Sequence, residues 1–449
     1  MPTLLTFLGA IPYELTRYYF EGQRDTASEP TPYVQEAILQ HLHQTNERVE
    51  RVLVFATKDA QANNYTRCIE RFDREKNSPV YSEQGSGLKK RLESLKQDGV
   101  IGDYSCTTIP NGNTEEEILR IFQILYEQVS ALPEGSDIVF DLTYGFRSLP
   151  MLCMLLLHYA RTLHSRRVSH VFYGNYEVGR HEKEERLRVL REQNASSTII
   201  EEQKKTPPLS PVLELRVFAD LQEWTIAAHT FVKSGDASLL ARRMNEVGES
   251  IIGKSLQDFT DQILTCRGKD LSERDDIEGI KADVRNLQRK PDLGAPLAPL
   301  LERIEQKLLP FSNRTTRNGF AAVEWCIEHG LIQQGLTLLE EACKSYLIEQ
   351  VYGIARIQDE HLRVCAKLAL NRVPKSKWKP EQEADAHRMT EYLLQNYPEV
   401  SHAYRQLTGN RGLRNDVNHS GYMPSSRTPE ELKEGLSRVY ANIKAAFKL

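Results

Sequence analysis

Asp137-Ile138-Val139-Phe140-Asp141-Leu142-Thr143-Tyr144-Gly145-Phe146-Arg147-Ser148 decides how the first half of this chain is read. An apolar run this short suits a strand buried on both faces. It breaks into a polar, glycine-containing turn. The stretch 149–163 that follows is apolar nearly all round, as a helix packed on a sheet would be. Similar runs lie at 4–8 (ended by Gly9), 52–56, 104–109 (more polar, ended by Pro110) and 168–173 (ended by Gly174). Amphipathic stretches separate them. One opens with the capping-box pattern Thr114-Glu115-Glu116-Glu117 and continues with Ile118, Ile121, Leu125 and Tyr126 at helical spacing. Strand–helix alternation over 1–200 predicts an α/β fold, a doubly wound Rossmann-like sheet.

Near residue 200 the pattern changes. Glu201-Glu202-Gln203-Lys204-Lys205 is highly charged and Thr206-Pro207-Pro208-Leu209-Ser210-Pro211 is proline-rich, so 201–211 reads as a linker. Beyond it no strand is expected. The stretches 212–233, 237–265, 272–289, 297–309, 317–350, 354–370, 381–396 and 429–447 read as helices, making 212–449 an all-α domain.

A length of 449 residues fits two or three domains, and 40% hydrophobic with 27% charged residues is ordinary for a globular protein. A net charge of −4 places any nucleic-acid contact in a local patch. The longest apolar stretch, 149–159, is too short to span a membrane, and the N-terminus reads as a first strand rather than a signal peptide. The 7 cysteines are scattered without a CxxC. Neither a disulfide framework nor a zinc site is expected, and a reducing cytoplasm fits best.

Ligands of open parallel sheets bind at the carboxyl ends of the strands. Here those ends carry Gly9, Ala10 and Tyr13; Thr57 and Lys58; Asn111, Gly112 and Asn113; Thr143, Tyr144, Gly145, Phe146, Arg147 and Ser148; and Asn175. Hydroxyls, amides and an Arg beside a helix start suit a phosphate or nucleotide. No GxGxxG occurs, so a dinucleotide cofactor is not expected. Gly248-Glu249-Ser250-Ile251-Ile252-Gly253-Lys254-Ser255 matches the P-loop pattern by letter, but a helix is expected before it and Leu240, Met244, Val247, Ile251, Ser255, Phe259 and Ile263 hold one face through it. It reads as coincidence.

Residues 401–422 hold Arg405, Arg411 and Arg414 with a single acid, Asp416, and place His419 five positions after Arg414, with Asn415 between them. RNA breaks when its 2′-hydroxyl attacks the neighbouring phosphate. An imidazole can move the proton and a guanidinium can stabilise the phosphorane charge, without a metal. Arg414, Asn415 and His419 are the candidate catalytic residues. A second basic stretch, Lys375-Ser376-Lys377-Trp378-Lys379, suits either a backbone contact with base stacking or a loop whose Trp covers apolar surface.

Together the halves resemble the CRISPR-associated ribonucleases of type III systems, which join a CARF sensor to a HEPN nuclease domain. Arg414-Asn415-Asp416-Val417-Asn418-His419 resembles the HEPN motif; Phe7-Leu8-Gly9 and 141–148 resemble the CARF half; 321–341, with Trp325-Cys326 and Gln334, resembles a helix pair of the nuclease domain. The resemblance implies a homodimer or higher oligomer in which two copies of Arg414 and His419 share a cleft. It implies activation by a cyclic oligoadenylate, the tetramer ahead of the hexamer, and metal-independent cleavage of single-stranded RNA to 2′,3′-cyclic phosphates. The stretch 267–316 stands apart as a candidate insertion. Rival readings are a ligand-binding transcriptional regulator and a catalytically inactive sensor scaffold.

Overall fold

Both faces of the first strand are buried. Leu4 and Leu8 pack with Val34, Ile38 and Leu92 on one side of the sheet, and Leu5 and Phe7 with Ile121, Leu125 and Leu156 on the other. The computed structural model describes residues 2–73, 78–82, 85–145, 149–164, 166–290, 294–409, 412–422 and 426–449. The chain divides into two units, Met1–Asp220 and Leu221–Leu449.

The strands of the first unit are β1 (Thr3–Leu8), β2 (Arg17–Tyr19), β3 (Val49–Ala56), β4 (Ile69–Asp73), β5 (Ser78–Tyr81), β6 (Ile101–Thr108), β7 (Ile138–Asp141), β8 (Val168–Gly174) and β9 (Leu209–Glu214). The main sheet runs β2-β9-β8-β7-β1-β3-β6, and β4-β5 is a separate hairpin. The strands expected from sequence form its parallel core, β6-β3-β1-β7-β8. The chain order moves outward from β1 through β3 to β6, then returns to the other side of β1 at β7. The switch point of this Rossmann-like sheet therefore lies between β1 and β7. Helices α1 (Val34–Gln44) and α3 (Leu88–Gln97) cover one face; α4 (Glu115–Ser130) and α5 (Leu149–His164) cover the other; α2 is Lys58–Ala60. Thr114 caps α4 as expected, its Oγ1 accepting from Glu117 N–H at 3.2 Å.

The expected linker is not a linker. After α6 (Tyr176–Glu192), residues 197–205 form α7 (Ser197–Lys205). The prolines stop that helix, as their missing N–H requires. The chain then enters the sheet as β9, antiparallel to β8 and parallel to β2. Ser210 and Val212 are buried there. Proline is tolerated because β9 lies near the edge, where Pro211 pairs with Tyr19 of the short β2.

The second unit, entered along α8 (Arg216–Ser234), is helical throughout its described residues: α9 (Ser238–Glu246), α10 (Ser250–Leu264), α11 (Gly268–Glu273), α12 (Ile277–Leu287), α13 (Gly294–Leu308), α14 (Arg317–Glu328), α15 (Ile332–Tyr352), α16 (Glu360–Leu370), α17 (Glu383–Asn396), α18 (Val400–Thr408), α19 (Leu413–Asn418) and α20 (Pro429–Phe447). Two helices expected as continuous are broken by glycines at positive φ, Gly248 at 81° and Gly330 at 69°. The P-loop look-alike thus starts in the α9–α10 turn, with a helix and no strand before it. Its apolar face is also interrupted, for Ile251 is 79% exposed. The candidate insertion 267–316 is no appendage: Leu271, Ile277, Val284, Ile304 and Phe311 share one core with Phe259 and Trp325. No described helix is long and apolar enough to cross a membrane, and the cysteines are free thiols.

Candidate functional site

At the switch point the strand ends open a cavity of about 490 Å³, within the ~300–1,000 Å³ usual for small-molecule sites. Gly9, just past β1, donates its N–H to Tyr13 Oη at 2.6 Å. The loop is pinned from the turn after α2: Asn64 Nδ2 donates to the carbonyls of Gly9 (2.9 Å) and Ile11 (2.8 Å), and Asn63 Nδ2 to that of Ala10 (2.9 Å). Tyr13 stacks on Tyr144 with centroids 4.0 Å apart, and Tyr144 Oη donates to the Pro32 carbonyl at 3.0 Å. Beneath them Asp141 is fully buried, accepting from Thr6 Oγ1 at 2.6 Å and from Thr143 N–H at 2.9 Å. Burial pushes its pKa up, against the pull of those hydrogen bonds. The Thr143 hydroxyl oxygen in turn accepts from Gly174 N–H at 2.7 Å, tying β7 to β8.

In the helical unit, α19 is anchored by buried Leu413 against α20, where a Cβ on Gly435 would come within 2.7 Å of it. Arg414 follows. Its Nη1 stands 2.7 Å from Glu340 Oε2 on α15, a carboxylate only 2% exposed. Asn415 gives its side-chain N–H to the Gly409 carbonyl at 3.0 Å. Asp416 is buried and accepts from Arg427, through its backbone N–H at 2.8 Å and its Nη1 at 3.2 Å. His419 caps the helix, its N–H bonded to the Asn415 carbonyl at 3.0 Å, with an exposed side chain. Five helical steps set it about 140° round from Arg414. Within one chain, Arg414 lies against Glu340 while His419 meets solvent.

Residues 3–177 match the CARF-domain family of the CRISPR system endoribonuclease Csx1. Residues 220–310 match the family of the second domain of CRISPR-associated protein MJ1674. The chain is 20% identical over 368 residues to CRISPR-associated protein MJ1674 of Methanocaldococcus jannaschii, covering 76% of this chain and 52% of the relative. It thus spans about half the length of the curated relative it matches. The first unit thus carries a CARF domain, and the chain is similar to CRISPR-associated proteins. A solved structure of Enterococcus italicus Csm6 bound to cyclic hexa-2′-fluoro-hexa-dAMP aligns over 100% of this chain and 94% of its own, with 14% identity and a TM-score of 0.41.

Of the residues expected to bind ligand in the CARF unit, Gly9, Ala10, Tyr13, Thr57, Asn111, Asn113, Thr143, Tyr144 and Gly145 line the cavity. Lys58 does not: it is exposed at the start of α2, whose first turn Thr57 caps. Gly112 and Asn175 also lie outside the lining, and Asn175 spends its N–H on the Pro211 carbonyl at 2.8 Å. Phe146, Arg147 and Ser148 fall outside the described residues, as does Arg411. The strand-end stretch 57–59 also brings Asp59 to the lining; sequence reasoning missed Ile109 and Leu149 there, and Asn63 and Asn64 behind it. In the helical unit Asp416, the single acid near the arginines in sequence, takes Arg427, whereas Arg414 goes to Glu340. That carboxylate could have been noticed as a charge on an apolar helix face, between Leu336 and Leu347. Trp378 packs on the core and donates to the Val373 carbonyl at 2.9 Å, so its indole covers apolar surface.

Proposed function

We propose that this CARF protein is an endoribonuclease of the HEPN type, switched on by a cyclic oligoadenylate in antiviral defence in the cytoplasm. What carries the reading is a cavity at the switch point of a CARF unit, on the same chain as an Arg414 held by a buried carboxylate and an exposed His419. The 2′-hydroxyl of single-stranded RNA gives its proton to a base, for which the His419 imidazole is suited, and its oxygen bonds to phosphorus. Arg414 stabilises the charge that builds on the phosphoryl oxygens. The bond to the 5′-oxygen breaks and that oxygen takes up a proton, leaving a 2′,3′-cyclic phosphate. The chemistry asks for no metal.

His419 and Arg414 on different sides of one short helix suit a composite site, completed by a second copy. A face for that copy is present: Met151, Leu155, Tyr159 and Leu163 follow at helical spacing on α5 and are 77%, 45%, 40% and 56% exposed. The same helix starts at Leu149 in the cavity lining, so pairing through α5 would bring two cavities together under one cyclic ligand.

The test incubates the full-length protein with single-stranded RNA, with and without cyclic tetra- or hexa-adenylate. The expected outcome is cleavage only with one of these ligands, the tetramer first, and a loss of at least ~10²-fold in His419→Ala. Ligand-dependent DNA binding without cleavage would make the protein a regulator instead. Ligand binding with neither would make it an inactive scaffold.

A further inference from the structure

The short helix that carries Arg414 does not by itself fix the guanidinium. Glu340 does, from α15. Its neighbours on that helix, Leu336, Leu339, Cys343 and Leu347, are core residues, and Glu340 itself is 2% exposed. An isolated carboxylate there would be costly, and positive charge surrounds it. Lys344 Nζ lies 3.5 Å and Lys367 Nζ 4.0 Å from Oε1, while Oε2 takes Arg414 Nη1 at 2.7 Å. A second layer holds Lys344, which also reaches Glu341 at 2.5 Å; Glu341 pairs with Arg363 as well.

A guanidinium meets an anion best along one edge, through two parallel N–H groups. Nη1 faces Glu340, and the side chain stays 30% exposed. Among the described residues both Glu340 Oε2 and Arg414 Nε are buried and make no hydrogen bond, so the two groups are held by charge, as an ion pair. We infer that Glu340 is a positioning residue for RNA cleavage, holding the Arg414 guanidinium through a buried ion pair so that its exposed part is set for the scissile phosphate. This rests on the nuclease reading above and adds a residue to it.

The experiment uses full-length protein saturated with whichever ring activates the wild type, and compares Glu340→Gln, Glu340→Asp, Arg414→Lys and the double variant Glu340→Gln/Arg414→Lys. Glu340→Gln is expected to lower kcat by ~10²-fold, as a misplaced catalytic group does, with a much smaller change in KM for RNA. Glu340→Asp keeps the charge one methylene short. It is expected to melt near the wild type and to lose part of that rate, which covers the case in which Glu340→Gln fails to fold. Lysine has no edge to set. In the Arg414→Lys background, Glu340→Gln should therefore change kcat by less than about threefold, the mark of two residues acting through one another. A folded Glu340→Gln or Glu340→Asp with wild-type kcat, or losses that multiply in the double variant, would overturn the inference. A wild type that cleaves no RNA with any ring would remove the nuclease reading, and this inference with it.

Discussion

His170 shows how one side chain can tie a sheet together and make its stability depend on pH. Its Nδ1 lies 2.6 Å from Glu214 Oε2 and its Nε2 2.9 Å from Glu47 Oε2, while the ring stacks on Phe172. Burial works against the charged ring, but the two carboxylates outweigh it and the pKa is raised. Its unfolded value is about 6.5. A raised folded pKa means that the stabilisation is fully present below that value and is lost as pH rises through the folded one. In denaturant melts between about pH 5.5 and 8.5, wild type should lose stability relative to His170→Gln as pH increases. Parallel curves for the two proteins would show that the imidazolium contributes nothing. Arg414 illustrates the same dependence on distant partners. Its type and place in the chain were readable, but Glu340 lies in another helix and no local pattern joins them.

At the scale of elements, β9 is held by α6, and one glycine permits it. A Cβ on Gly179 would stand 2.7 Å from the Leu209 carbonyl oxygen and would also collide with the Ser210 hydroxyl. Glycine inside a helix usually costs about 1 kcal/mol relative to alanine, so Gly179→Ala would ordinarily stabilise. Here the close approach of backbone to backbone decides the sign. Gly179→Ala should destabilise the first unit by about 1–3 kcal/mol, the usual range for overpacking, read as a lower urea midpoint. A higher midpoint would mean that β9 can yield. The sequence concealed β9 because its prolines resemble a linker's. Its strand character comes from the pairing with β8 and β2, not from a long apolar run.

For the whole molecule, the exposed stripe on α5 is where the proposed pairing of copies would link sensing to assembly. Leu155→Glu touches no core contact and should change chain stability by no more than about 0.5 kcal/mol, as surface substitutions do. If α5 is the contact between copies, sedimentation should show the variant as monomer at concentrations where wild type is dimeric, and ligand-stimulated cleavage should fall with it. A Leu155→Glu protein that stays dimeric would move the interface elsewhere.

By itself the sequence determined the parallel core strands, the cap of α4, the helical character of the second half and the residues gathered at the strand ends. Each is written in a local period of two or 3.6 residues, in a cap or in a turn. Only the tertiary structure decided the strand order that places the cavity between β1 and β7, the capture of β9 by the sheet, and the choice of Glu340 over Asp416 as the partner of Arg414. Those are pairings between segments far apart in the chain. They are set by which buried surfaces and charges can satisfy one another once the chain is folded, and no short window of sequence contains both partners.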